Sequence, residues 1–115
     1  MRTNYEPKPL FIERMKSLLK RDFEKYWEIS QTEPLISIRA NTLKISISDL
    51  KKKLEGKGWK IKQPFENHDE IMIVENELMP GELGRALEHL LGYYYVQEIA
   101  SMLPPLALNP KPDEL

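Results

Sequence analysis

Leu35-Ile36-Ser37-Ile38-Arg39-Ala40-Asn41-Thr42-Leu43 alternates apolar and polar side chains with a period of two. That period belongs to a β-strand, where successive side chains leave opposite faces of the sheet. Ile36, Ile38 and Ala40 form a face to be turned towards a core, and Ser37, Arg39 and Asn41 form the other. The polar face has distinctive chemistry. A guanidinium offers a planar fork of donors and a carboxamide a paired donor and acceptor, the groups that meet phosphates and base edges.

Downstream, Ser48 reads as the cap of a helix running to about Glu55, with Leu50 and Leu54 inward and Lys51, Lys52 and Lys53 outward. Gly56 and Gly58 end it, and Trp59 and Ile61 alternate with Lys60 and Lys62 in a second strand that stops at Pro64. A turn at Asn67-His68-Asp69-Glu70 leads to a third strand, Ile71 to Glu75. After Met79-Pro80-Gly81, Glu82 to Leu91 reads as a helix with Leu83, Ala86, Leu87, Leu90 and Leu91 inward. Gly92 closes it, and Tyr93 to Gln97 is a fourth strand.

The predicted order over 35–97 is strand, helix, strand, strand, helix, strand. This is the α+β, ferredoxin-like order that RNA-recognition modules share. Such modules stack bases on aromatic rings of their central strands, and neither the Arg39 strand nor Ile71-Met72-Ile73-Val74 carries a ring. Base stacking on the middle of this sheet is therefore not expected.

Upstream, residues 1–8 form a loose lead-in and Pro9 suits a helix start. Phe11, Met15, Leu18, Leu19, Phe23, Tyr26 and Trp27 recur at three- and four-residue steps, giving the apolar face of one helix or two short ones in a segment 1–34. Thr32-Glu33-Pro34 ends it. Beyond Gln97, Ser101 reads as a helix N-cap, with Pro104 and Pro105 in the first turn or just past it. Asn109-Pro110-Lys111-Pro112-Asp113 is a turn, and Leu115 reads as the first residue of a buried strand, so that 98–115 is the entry to a further domain.

Composition is that of a globular chain, 41% hydrophobic and 30% charged, with no apolar run near the roughly 20 residues that span a bilayer. A cytoplasmic location is expected. There is no cysteine, which excludes disulfides, thiolate metal sites and a cysteine nucleophile. No zinc-ligand spacing or other metal motif appears. Net charge is −1, but it is unevenly placed. Six lysines between Asp49 and Lys62 face two acids, and six acids between Glu66 and Glu82 face no Lys or Arg. Two readings stand for this polarity: solvated charges on a helix and its loops, or a face presented to phosphate.

Gly92-Tyr93-Tyr94-Tyr95-Val96-Gln97-Glu98, followed by Ser101-Met102-Leu103-Pro104-Pro105 and Pro110-Lys111-Pro112-Asp113-Glu114, resembles the segment entering the catalytic domain of RNA cytosine-5 methyltransferases of the Nol/Nop/Sun family. Arg39-Ala40-Asn41-Thr42-Leu43-Lys44 resembles the Arg-x-Asn-Thr-Leu-Lys motif of the same family's N-terminal region. The resemblance implies an RNA-positioning N-terminal region of an S-adenosylmethionine-dependent tRNA or rRNA methyltransferase. It also implies that the cofactor loop and catalytic cysteines lie in a domain outside this chain, leaving no catalytic residue here. Carried over residue by residue, Arg39, Asn41 and Lys44 face RNA or the catalytic core, and Gln97, Glu98 and Ser101 lie near the cofactor domain. Lys51, Lys52 and Lys53 join the first group by charge, and RNA binding by the chain alone is expected to be weak.

A second expectation comes from a different class: a free-standing ferredoxin-like module that docks a protein through Tyr93 to Tyr95, Met102 and Leu103. Ile99, Met102, Leu103, Leu106, Leu108 and Leu115 in the tail also need cover. A homodimer through the tail is the expected solution.

Overall fold

The period-two stretch forms a strand of five residues in the computed structural model, which describes residues 6–114. In chain order the elements are α1 (Pro9–Leu19), a 3-10 turn (Lys20–Asp22), α2 (Phe23–Ser30), β1 (Ile36–Ala40) and α3 (Ile47–Gly56). They continue with β2 (Ile61–Lys62), β3 (Ile71–Val74), α4 (Glu82–Arg85), α5 (Leu87–Leu90), β4 (Tyr94–Val96) and α6 (Ile99–Leu108). Two compact units part between Pro34 and Leu35.

The sheet runs β2-β3-β1-β4 with every neighbouring pair antiparallel. This is the strand order a βαββαβ chain adopts when each helix crosses one intervening strand, and it is the ferredoxin-like order read from the sequence. The register pairs Ile36 with Val74, Ile38 with Met72 and Ala40 with Tyr94, so these six share one face. Leu50 and Leu54 of α3, with Trp59 and Ala86, complete the core on that face. Ile38, Leu50, Leu54 and Met72 are wholly inaccessible, and each such side chain contributes roughly 1.5–3 kcal/mol.

The cap of α3 is Ser46, two residues earlier than predicted. Ser46 is extended and its hydroxyl accepts the Asp49 N–H at 3.1 Å, while Asp49 places its charge in the first turn, where the helix dipole favours it. Ser48 lies inside the helix.

The opposite face of the sheet departs most from expectation. Ser37 is buried, its hydroxyl donating to the Gln97 carbonyl at 2.6 Å, and Ile71 and Ile73 beside it are buried too. α6 packs against β1, and its Met102 is fully inaccessible. β3 is thus apolar at all four positions because both its faces are covered.

α6 begins at Ile99, so Ser101 is its third residue and not its cap; Glu98 holds the N-cap position with no side-chain bond. Pro104 and Pro105 consequently fall in mid-helix. Each removes a donor, leaving the carbonyls four residues back unmet, and the Gln97 side-chain amide reaches that of Ser101 at 3.4 Å. The tail is folded on the sheet of its own unit, which leaves Leu103 and Leu108 exposed and half-buries Ile99 and Leu106. Leu115 lies outside the described residues.

The predicted helix 82–91 is two short ones. Ala86 between them is extended (φ −61°, ψ 141°), which turns α5 so that Glu88 points inward and Leu87, Leu90 and Leu91 point out. Glu88 is held by a salt bridge to Lys57. Burial pushes the Glu88 carboxyl up, but the Lys57 hydrogen bond, a backbone bond and the charges of Lys57 and Lys53 outweigh it and hold the group below its usual value.

Tyr94 closes this corner, its hydroxyl donating to the Leu83 carbonyl at 2.5 Å. Burial, aided by the Glu88 charge, pushes the phenol up to about 12 from 10. Between those values the unfolded chain releases a proton that the folded chain keeps, so stability falls as pH rises from 10 to about 12. Chemical denaturation across that window is expected to show a falling stability limb that Tyr94→Phe flattens. An unchanged limb in the variant would assign it to other groups.

In the N-terminal unit, Phe23 is buried, stacked on Trp27 with centroids 5.8 Å apart and tilted against Tyr26 at 6.3 Å. Phe11 and Leu18, expected inward, are exposed. Lys20, with φ 48°, ends α1 and breaks the helical stripe between Leu18 and Phe23. Among the described residues no helix is long and apolar enough to cross a membrane.

Candidate functional site

Where β1 runs out beside β4, the sheet opens into a groove of about 830 Å³. Arg39, Asn41 and Gln97, three of the residues singled out in the sequence, line it together with Glu70, His89 and Tyr95. The pleat explains the set. Arg39 lies directly opposite Tyr95 of β4 and Ile71 of β3, so the guanidinium, the phenol and the start of β3 share a face.

Arg39 is half-buried and its guanidinium makes no hydrogen bond or ion pair with any described residue. A cation so placed is partly desolvated without a direct ion pair, a state that favours an incoming anion. Glu70, the acid of the groove, sits 3.4 Å from His68 Nδ1. Tyr95, which lines the same groove, is 66% exposed.

Asn41 is committed differently. Its side-chain amide donates to the Gly92 carbonyl at 3.0 Å and its Oδ1 accepts the Leu43 N–H at 3.2 Å. Its backbone N–H donates to the Tyr93 carbonyl at 2.8 Å. Asn41 therefore fastens the exit of β1 to the turn before β4, and the expected contact role gives way to a structural one. Lys44 does the same, donating from Nζ to the Leu91 carbonyl at 3.2 Å. Gly92 suits the place between them because its φ is 74°, in the left-handed region that residues with a Cβ rarely adopt.

Asn41→Ala removes two of these bonds and strands the Gly92 carbonyl. It is expected to destabilise the chain by about 1–3 kcal/mol and to lower Tm by several degrees in thermal circular dichroism. An unchanged Tm would return Asn41 to the contact surface.

The lysine triplet is not part of this groove. α3 packs on the Ile38–Met72 face, the opposite side of the sheet from Arg39, so Lys51, Lys52 and Lys53 lie behind it. Lys51 is engaged with Gln63 at 3.2 Å and Glu55 at 4.0 Å, whereas Lys52 and Lys53 are exposed. Gln97 has most of its bonding used by Ser37 and Ser101, and Glu98 and Ser101 sit exposed at the start of α6. Tyr95 and His89 escaped sequence reasoning as groove residues. The signal for Tyr95 was its parity with Gln97 on a strand, while His89 enters through the break at Ala86 that carries no mark in the sequence. His89 packs its ring 5.6 Å from Tyr94, and its Nδ1 is buried with no hydrogen-bond partner among the described residues. Among the described residues no three His, Cys, Asp or Glu side chains are grouped to hold a metal.

Residues 8–99 match the N-terminal domain of 16S rRNA methyltransferase RsmF. The chain belongs to that family. The RsmF match takes in β1, the groove and β4 and stops at the first residue of α6. Ribosomal RNA small subunit methyltransferase F of Shewanella oneidensis is 47% identical over 72 residues, covering 63% of this chain and 15% of the relative. The enzyme of the same name from Shewanella loihica is 40% identical over 78 residues, 68% of this chain and 16% of the relative. The solved structure of a methyltransferase homolog protein from Pyrococcus horikoshii is 34% identical with a TM-score of 0.76, covering 95% of this chain and 35% of that one. The chain thus spans a minor part of the RsmF relatives and structural neighbour it matches.

Proposed function

We propose that this chain is the RNA-positioning N-terminal region of an S-adenosylmethionine-dependent rRNA (cytosine-5) methyltransferase acting in the cytoplasm, with no catalysis of its own. The reading rests on the match of residues 8–99 to the RsmF N-terminal domain. The unpaired Arg39 in an open groove supports it. In this reading Arg39 takes a phosphate, and the exposed Lys52, Lys53, Lys60 and Lys62 add a diffuse attraction from other parts of the surface. Gln97, Glu98 and Ser101 lead the chain towards a methyltransferase domain that holds the cofactor. Leu103 and Leu108 are the apolar surface that this domain, or a second copy of the chain, covers.

The test is salt dependence. Each phosphate contact on a single strand contributes about 0.7 to the slope of log affinity against log salt, so four or five contacts give a slope of about −3. Anisotropy titration of a labelled single-stranded rRNA fragment is expected to show weak binding that follows this slope. Absence of binding at low salt, or affinity that persists as salt rises, would overturn the reading.

A further inference from the structure

We propose that the groove between the end of β1 and β4 is a single-nucleotide site, in which an unstacked base of single-stranded RNA lies on the Tyr95 ring and its phosphate meets Arg39. This rests on the RNA-positioning reading and gives it a definite site. Three observations carry it.

The first is register. Arg39 and Tyr95 are directly opposed across an antiparallel pair, which puts their Cβ atoms roughly 5 Å apart on one face. A ring and a guanidinium so spaced match a base and the phosphate attached to it. The second is availability. Tyr95 is 66% exposed, and the Arg39 guanidinium has no partner among the described residues. The groove's volume of about 830 Å³ is ample for one nucleotide.

The third is what the rest of that face excludes. RNA-recognition modules stack two or three bases along their central strands. Here the corresponding positions are Ser37, Ile71 and Ile73, all buried, and Tyr93 packs against the core cluster of the helix-covered face. Stacking is therefore confined to the edge strand and to one ring. A paired A-form helix keeps its base faces covered, so the site takes an unpaired nucleotide and refuses duplex.

The experiment titrates the full 115-residue chain against a fluorescein-labelled single-stranded RNA 12-mer and a duplex of the same sequence, with Tyr95→Ala, Tyr95→Phe and Arg39→Gln as variants. Single-stranded RNA is expected to bind more tightly than duplex. Tyr95→Ala is expected to lose roughly 5- to 150-fold, the range for one base–aromatic stack, while Tyr95→Phe retains binding. Arg39→Gln is expected to make the salt slope shallower by about 0.7, one phosphate contact. Circular dichroism of each variant establishes that it is folded. Single-stranded binding that none of the variants alters, or duplex bound as tightly, overturns the site and leaves RNA positioning intact. Absence of all RNA binding by the unsubstituted chain overturns both.

Discussion

Incubated with labelled S-adenosylmethionine and small-subunit ribosomal RNA, the purified 115-residue chain is expected to transfer no methyl group. Cytosine C5 is a poor nucleophile until a thiolate has added to C6, and this covalent step is what the resemblance to cytosine-5 methyltransferases implies. The chain has no cysteine to supply the thiolate. The Arg39–Tyr95 groove offers a cation and a ring, neither of which is a nucleophile that could add to C6. The expected loss relative to a full-length relative is complete, because the covalent route is absent and not merely slowed. Label in the RNA above the level of a boiled control would contradict this.

The second large effect falls on stability. Leu50→Ala and Leu54→Ala each remove a wholly inaccessible side chain that joins α3 to the Ile38–Met72 face. Losing its transfer energy and leaving a cavity costs about 2–5 kcal/mol. That is a large share of a margin of about 5–15 kcal/mol for a domain, and at about 4–8 °C per kcal/mol it lowers Tm by at least about 8 °C. The exposed neighbour Lys52 serves as control, since Lys52→Ala touches neither core nor partner and is expected to shift Tm by little. A Leu50→Ala variant melting within a few degrees of the unsubstituted chain would show that the α3 contact does not hold the sheet.

How legible the molecule is in its sequence depends on how far apart the interacting residues stand. β1 was readable because one of its faces is uniformly apolar, and the strand order followed from turns and helices placed between short alternating runs. Ser37 was not readable as buried. Its hydroxyl is satisfied by Gln97, 60 residues away, and the face it occupies is closed by segments that come later in the chain. The leucines of 87–91 kept a helical period yet point outward, because the unmarked break at Ala86 turns Glu88 towards Lys57, and the gain of that ion pair is invisible locally. Ser101 reads as an N-cap, which puts Pro104 and Pro105 in the first turn or just past it. The helix instead starts at Ile99, and the Gln97 amide meets the Ser101 carbonyl that Pro105 leaves without a donor.

The site divides in the same way. The resemblance sets Arg39 against RNA or the catalytic core and Gln97 near the cofactor domain, yet the two line one groove, and Asn41 and Lys44 make hydrogen bonds that fasten the turn at Gly92. The lysine triplet illustrates the limit of charge counting. A run of like charge says that a surface is basic without saying which side of the sheet it is on, and here it lies opposite to Arg39.

RNA held at the end of β1 beside β4 is the proposal on which the functional reading turns. Photo-crosslinking the chain to 4-thiouridine-substituted single-stranded rRNA, followed by mass spectrometry of the adducts, tests both parts at once. Adducts are expected on Tyr95 and within residues 39–43. Adducts confined to α1 and α2 or to the lysines of α3, or no adduct at any RNA concentration, would contradict it.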